Sequence, residues 1–261
     1  MLQQTQVERV IPHWHAWLER FPTVRDLAAA SRADVIRAWQ GLGYNLRAVR
    51  LHELARQVVA EHGGQLPRTL DGLLGLRGVG RYTAGAVACF AYEQPVAMVD
   101  TNIRRALGRV FLGEAAVGRT SAAELQHLAD AVLPAGSAYA WNQALMDLGA
   151  TLCRARRPAC QHCPLVGTCR AAPRLRVSEA REPTRVRETP AAYRTAAAQR
   201  LFRGRIVDVL RQLPRNTSLA VSELGRMLQP TEPAALERLI GKLADDGLVV
   251  RDADGRVRLP D

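Results

Sequence analysis

The chain has a single lysine, Lys242, among its 36 Lys and Arg side chains, so arginine supplies almost all of its positive charge. That shortage limits its chemistry. A Schiff base with a carbonyl substrate needs an amine side chain, and nothing upstream of Lys242 offers one. Long apolar runs are also missing: no stretch approaches the roughly 20 residues that span a bilayer, which excludes a membrane-embedded protein. The first residues, with polar Gln3, Gln4 and Thr5, lack the basic and apolar parts of a secretion signal, and the cytoplasm is the expected compartment. The five cysteines are then expected to be reduced.

What the chain does have is length and charge. Its 261 residues favour two or three modest units over one large one, and the formal charge of +11 favours a polyanionic partner, nucleic acid or an acidic membrane surface. Residues 1–170 read as helices separated by Gly and Pro punctuation, as in WQGLGYN and HGGQLPRTL, with no convincing alternating strands. The first of them reads as an amphipathic helix over residues 1–18, with apolar Leu2, Val7, Val10 and Ile11 and no capping residue ahead of it. Residues 173–200 mix arginine, proline and small side chains and read as a basic linker. Residues 201–261 read as three short helices and a hairpin, with Val249, Val250, Val257 and Leu259 flanking an Asp254-Gly255 turn. That order resembles a winged-helix module, whose third helix often enters the DNA major groove. Glu237, Asp245 and Asp246 make this third helix poorly basic.

Three motifs carry chemistry. In CRARRPACQHCPLVGTC, Cys153, Cys160, Cys163 and Cys169 have the spacing C-x6-C-x2-C-x5-C. Four such thiolates in a reducing compartment call for a metal centre, and both tetrahedral zinc and a cluster of four irons and four sulfides satisfy the spacing. Arg154, Arg156 and Arg157 within the loop would face DNA phosphates and offset thiolate charge. Cys89, in AVACFAY, reads as a small core residue. In LRGVGRYTAGAVACFAY, Gly78 and Gly80 bracket Val79 just before a helical run, a tight turn whose following backbone amides can hold a phosphate oxygen. In MVDTNIRRAL, Asp100 stands at a helix start, where Asp is a good N-cap and where a carboxylate is suited to face a developing cation.

In this order and spacing the motifs resemble the helix-hairpin-helix DNA glycosylases that carry an iron-sulfur cluster, over residues 1 to about 172. The fit is to the adenine glycosylases of the MutY type, through MLQQTQV, GLGYN, GVGRYTAGA, VDTN and WNQALMDLGATLC. The resemblance implies a mainly α fold: a six-helix barrel with the helix-hairpin-helix over residues 1–94 and an iron-sulfur cluster domain over 95–172. The basic linker of 173–200 and the winged-helix-like module of 201–261 follow. It implies one 4Fe-4S cluster on the four cysteines in place of zinc. It also implies a monomeric, nucleoid-associated partner of double-stranded DNA with mismatched or damaged base pairs, which flips its target base out of the stack. Site by site, Asp100 resembles the catalytic aspartate that stabilises an oxocarbenium-like sugar as adenine leaves, and Asn102 the asparagine that helps position it. Gln4 and Thr5 match positions that meet the damaged guanine opposite. Tyr44 matches an aromatic wedge pushed into the stack, with Asn45 where the family usually repeats the tyrosine. Gly78, Val79 and Gly80 match the DNA-binding hairpin.

Tyr82 stands where the backbone-cutting relatives have their Schiff-base lysine, so the expected enzyme is monofunctional: it hydrolyses the N-glycosidic bond of adenine opposite 8-oxoguanine or guanine and stops there. Thymine-mismatch glycosylases share a tyrosine at this position and are the enzymatic alternative; a non-catalytic DNA-binding or lesion-sensing relative is the other. The family's general acid is a glutamate two residues upstream of the position of Met1. Glu8 does not replace it, being nine residues further on, on the opposite helix face and roughly 13 Å along the axis. Two readings follow, a natural start further upstream or a relative that has lost the reaction, and the intact motifs favour the first. The family's lesion-reading terminal domain is not evident, and the winged-helix-like module occupies its place.

Overall fold

The computed structural model describes residues 1–3, 5–179, 191–229 and 233–261. Helices α1 (Val7–Arg20), α2 (Val24–Ala29), α3 (Arg32–Ala38), α4 (Leu46–His62), α5 (Leu70–Leu74) and α6 (Arg81–Tyr92) come first. Then follow α7 (Thr101–Leu107), α8 (Ala122–Ala131), α9 (Ala138–Asp147) and α10 (Ala172–Glu179). The C-terminal part holds α11 (Ala191–Gln212), β1 (Leu219–Ala220), α12 (Val221–Leu228), α13 (Pro233–Asp245), β2 (Val250–Arg251) and β3 (Arg256–Arg258). Among the described residues strands occur only in this last part, and no helix is long and apolar enough to cross a membrane.

Local chemistry sets many of these boundaries. Thr23 and Asp26 form a reciprocal capping box on α2, Ser121 and Glu124 do the same on α8, and Ser31 and Thr69 accept first-turn amides of α3 and α5. Gly63, at φ 62°, ends α4 in the left-handed conformation that costs glycine least. The amphipathic pattern at the N-terminus becomes helix only from Val7, later than the residue 1 start read from periodicity. Gln6 precedes it without a side-chain cap, so nothing carries the helix further back. Helix α1 buries Val10 and Trp17 and exposes Val7, Ile11, Trp14 and Leu18.

The chain packs as two compact units. The first comprises residues 1–66, 76–78 and 188–261, the second 67–75 and 79–187. The expected boundary at residues 94 and 95 thus falls inside the second unit. Within the first unit, Trp17, Phe21, Leu27, Val35, Trp39 and Ala55 form one cluster, with Trp17 edge-on to both Phe21 and Trp39. A second cluster joins Ala33, Ile36 and Val49 of α3 and α4 to Ile206, Val207, Leu210, Leu243 and Val257 of the C-terminal segment. The C-terminal residues therefore complete a core begun by the N-terminal helices. The expected hairpin is present, β2 pairing with β3 and Gly255 taking φ 73° in its turn, and β1 adds a third strand in the order β1-β3-β2. The expected linker overlaps helical ends: α10 runs to Glu179 and α11 starts at Ala191, and residues 180–190 lie outside the described residues.

The second unit is built on Met98, Ile103, Leu107, Ala129 and Leu145, against which Tyr82, Phe90, Phe111 and Trp141 pack. A smaller cluster of Cys160, Ala171 and Leu175 lies under the cysteine loop.

His52 of α4 is only 3% exposed, and burial, then the charges of Arg32 and Arg56, hold its imidazole below the ordinary value of 6.5. The unfolded chain therefore takes up this proton first on acidification. The stabilisation from burying neutral His52 is complete above about pH 6.5 and is lost as the pH falls from there through the lowered folded value. The thermal midpoint should drop between pH 7.5 and 5.5, and His52→Gln should flatten that part of the profile. Parallel profiles for the two proteins would sink the assignment.

Candidate functional site

The loop that delivers Asp100 has no ladder of its own and is held by side chains. Asn142 of α9, 1% exposed, donates to Val96 O at 2.9 Å and to Cys89 Sγ at 3.3 Å, and its Oδ1 accepts Met98 N–H at 3.2 Å. Gln126 of α8 donates to Ala97 O at 3.0 Å. Gly85 of α6 lets the loop lie close, since a Cβ there would stand 3.3 Å from the Met98 side chain. Cys89 is buried as expected, with the added task of receiving the Asn142 amide.

So fixed, Asp100 caps α7, its Oδ1 accepting Ile103 N–H at 2.6 Å. Tyr82, half-buried on α6, is raised in pKa by burial and then by the charge of Asp100, which keeps it a neutral phenol. These two expected residues are thus close enough to interact. Asn102 is engaged otherwise: its Oδ1 accepts from Arg105 Nη2 at 2.9 Å, and the same nitrogen donates to Gly149 O at 2.6 Å. Arg105 Nε also donates to Cys153 O at 2.7 Å. Gly149 sits in a π-helical turn, Leu148–Leu152, where a Cβ would come within 2.7 Å of Asn102 Cβ. The start of α7 and the first cysteine are therefore linked by one guanidinium.

Cys153, Cys160, Cys163 and Cys169 line one small cavity together with Leu148, Leu152 and other apolar side chains, and none is in a disulfide. Among the described residues no three His, Cys, Asp or Glu side chains are grouped to hold a single metal ion. Arg109, 3% exposed, lies against this loop. Its guanidinium meets Glu114 at 2.6 and 3.1 Å and donates to Arg154 O at 2.8 Å, Ala155 O at 3.1 Å and Cys153 Sγ at 3.6 Å. Burial alone would lower its pKa, but Glu114 and Cys153 outweigh that and hold it above the usual arginine value. Arg154, Arg156 and Arg157 point out from the loop and are exposed.

In the first unit the expected wedge lies in a turn with three successive departures from ordinary backbone, Gly41 at φ 89°, Gly43 at 68° and Tyr44 at 47°. A left-handed tyrosine is uncommon, and such strain persists only where neighbours impose it. Trp39 donates to Gly43 O at 3.0 Å, and Arg47 donates to Leu42 O at 2.9 Å and Gly43 O at 3.2 Å. The Tyr44 ring, 49% exposed, has the Arg47 guanidinium 5.6 Å from its centroid. Arg47 also reaches the N-terminal segment, at Met1 O (2.9 Å), Gln3 O and Thr5 Oγ1 (3.1 Å). Thr5 and Tyr44 are thereby joined through one side chain, and Gln4 lies outside the described residues. At the second glycine motif, Gly78 takes φ 76°, and Gly80 starts α6 with no side-chain cap and open space at its Cβ.

Sequence reasoning missed Arg47, Arg105, Arg109, Gln126 and Asn142 as parts of the site. Asn142 and Gly149 both lie in WNQALMDLGATLC, a motif noted for its likeness alone. In the sequence Arg47, Arg105 and Arg109 show only as part of the net charge, since their partners are backbone carbonyls and side chains supplied by other segments.

The chain matches the family described as HhH-GPD superfamily base excision DNA repair protein over residues 1–135. It belongs to that superfamily. A curated relative named adenine DNA glycosylase, from Mycolicibacterium smegmatis, is 44% identical over 259 residues, 99% of this chain and 84% of the relative. Among solved structures, a thermostable thymine-DNA glycosylase superposes with a TM-score of 0.62 at 31% identity, covering 66% of this chain and 80% of that one. A trapped endonuclease III-DNA covalent intermediate gives 0.60 at 25% identity, over 66% and 80%. The mainly helical fold is that of these proteins.

Asn142→Leu keeps the side-chain bulk but leaves Met98 N–H and Val96 C=O without their partner. It should cost about 2–6 kcal/mol, at about 1–3 kcal/mol for each of the two buried groups left without a partner. An unchanged denaturation midpoint would show that the loop is held by something else.

Proposed function

We propose that this protein is a monofunctional adenine DNA glycosylase, acting in duplex DNA on adenine opposite 8-oxoguanine or guanine. What carries the reading is Asp100 capping the start of α7, whose charge reaches the neutral Tyr82 phenol, in a chain whose one lysine, Lys242, is in the C-terminal segment. The membership of the family and the 44% identity to a named adenine glycosylase support it.

In the proposed reaction the bond from the sugar to the adenine ring breaks with its electron pair leaving on the base, which takes up a proton. The sugar develops positive charge, Asp100 faces it, and water adds to the same carbon and loses a proton. Fixed negative charge opposite a developing cation is the kind of preorganised stabilisation that dominates many enzymatic rate enhancements. Tyr82 can donate a hydrogen bond but cannot form an imine, so the abasic product is left intact. Asn102, tied to Arg105, keeps the first turn of α7 in place. Tyr44 is the proposed wedge, Thr5 and Gln4 the residues that meet the opposite base. The amides at Gly78, Val79 and Gly80 are the proposed phosphate contact.

The cysteine loop fits an iron-sulfur cluster better than a single zinc ion. Its donors are all sulfur and line one apolar cavity, yet no three of them are grouped for one ion. Cys153, Cys160, Cys163 and Cys169 would hold one 4Fe-4S cluster, which when bound supplies a structural crosslink of the loop. Arg109 would then offset negative charge at Cys153, and the exposed Arg154, Arg156 and Arg157 would meet phosphates.

A second reading, thymine removal from mismatches, is favoured by one observation, the likeness to the thermostable thymine-DNA glycosylase. Excision assays on adenine opposite 8-oxoguanine and on thymine opposite guanine separate the two. In protein that carries the family's upstream glutamate to protonate the base, we expect adenine to be released, the abasic strand to break only after alkali, and Asp100→Asn to lose about 10² or more in rate while still binding duplex. Release of thymine but not adenine would overturn the proposal in favour of the second reading.

Anaerobically purified protein should be brown with iron near four per chain, as one cubane requires. Stoichiometric zinc without iron would remove the cluster assignment.

A further inference from the structure

Asn45 is the residue where this chain departs from its family's wedge motif, and its side chain has an unusual occupation. It precedes α4 at the N-cap position, a place asparagine normally holds by bonding a first-turn amide, yet it makes no such cap. Its Oδ1 instead accepts from Arg211 Nη2 at 2.8 Å. Arg211 belongs to α11, 166 residues away in sequence, and is 7% exposed. Its Nε donates to Ile36 O at 3.0 Å, and Nη1 to Asp208 Oδ1 at 2.5 Å. Each arm of one buried guanidinium is therefore engaged, one on the end of α3, one on the turn that carries Tyr44, and one on its own helix.

The surroundings point the same way. Ile206, Val207 and Leu210 of α11 share a core with Ile36 and Val49 of α3 and α4, so α11 cannot shift without moving the helices that flank the turn. Arg200 of α11 approaches the Tyr44 hydroxyl at 3.5 Å. Tyr44 itself is held at φ 47°, a conformation that a free tyrosine would leave.

We propose that the C-terminal module is a positioning element for the Tyr44 wedge, acting through the hydrogen bond from Arg211 to Asn45. This rests on the reading of Tyr44 as the wedge. A ring pushed between stacked bases meets a resistance of a few kcal/mol per step, and it opens the stack only if its turn does not yield first. The family resemblance puts a second tyrosine at this position. Here a polar side chain takes the place, and a buried arginine fixes it. In this role the module serves DNA reading through the turn it fixes, which needs no basic face on α13, where Glu237 and Asp245 lie.

The test measures stack opening rather than excision, with the full chain at saturating concentration. The duplex carries 2-aminopurine at the target position opposite 8-oxoguanine, and its emission rises as the base leaves the stack. Tyr44→Ala sets the signal of a protein without a wedge. Asn45→Ala and Arg211→Met should each lower the opening equilibrium about tenfold, as expected for one hydrogen bond to a buried charge. The double variant should be no lower than the weaker single one, and Asn45→Asp should retain opening. Arg211→Met removes a buried guanidinium and its fold is checked by thermal melting; if it does not fold, Asn45→Ala, which leaves Arg211 and its core in place, decides alone. Normal opening by Asn45→Ala with opening lost in Tyr44→Ala would overturn the coupling and leave the wedge intact. Normal opening by Tyr44→Ala would overturn the wedge reading, and the proposal with it.

Discussion

Outside the Asn142-held loop before Asp100, the guanidinium group is what the irregular turns described above depend on. Turns that escape helical geometry leave backbone carbonyls without partners, and buried carbonyls must be satisfied. An arginine offers five N–H donors in one plane, so a single side chain can gather several carbonyls from different segments. Arg47 does so for Met1, Leu42 and Gly43; Arg105 takes two carbonyls of one stretch, Gly149 and Cys153, Arg109 those of Arg154 and Ala155, and Arg211 joins Ile36 O to the side-chain oxygens of Asn45 and Asp208. A lysine ammonium, compact and strongly hydrated, could not span such sets. The near-absence of lysine thus excludes one kind of chemistry, while the arginines that replace it build the scaffold.

That use of arginine changes what the net charge means. A formal charge of +11 suggests a broad attraction for phosphates, but Arg109 and Arg211 are nearly inaccessible, and Glu114 and Asp208 sit on them. A buried cation costs several kcal/mol in desolvation unless its donors are engaged, and engagement of this kind is sensitive to small displacements. The same property that makes these arginines unavailable to DNA makes the turns around them rigid. Exposed residues such as Arg154, Arg156 and Arg157 carry the part of the charge that DNA can meet.

The features legible in sequence were those set by a few adjacent residues. Gly78 and Gly255 announce positive φ, Asp100 announces a cap, and the cysteine spacing announces a shared loop. Each depends on local sterics or hydrogen bonding that neighbours cannot easily override. Apolar periodicity was less informative, because it says that a face is buried without saying against what. The pattern at Ile206, Val207 and Leu210 gave a helix, but not that this helix would complete a core with α3 and α4. Likewise the sequence shows Asn45 only as a departure from the repeated tyrosine, because its partner Arg211 lies 166 residues away. Asn142 could not be distinguished from any polar residue on a helix, since its value lies in carbonyls and amides that come from Val96 and Met98.

The cysteine loop and Asp100 are mechanically one assembly. Asp100 caps the first turn of α7, and that helix meets the loop at Arg105 on Cys153 O and, through the π-helical turn Gly108–Leu112 that continues it, at Arg109 on Cys153 Sγ. Cys169 Sγ lies 3.5 Å from Arg109 O, and Ala171 N–H bonds that same carbonyl at 3.1 Å. An α-helix advances only 1.5 Å per residue, so a helix this short transmits a shift at one end to the other with little bending. The close seat of Asn102 against Gly149, where there is no room for a Cβ, leaves α7 no independent freedom to absorb such a shift. Whatever orders the four cysteines therefore also orders the carboxylate at the start of α7. A metal centre held by these cysteines would thus have a physical means of ordering Asp100 without taking part in any bond that breaks.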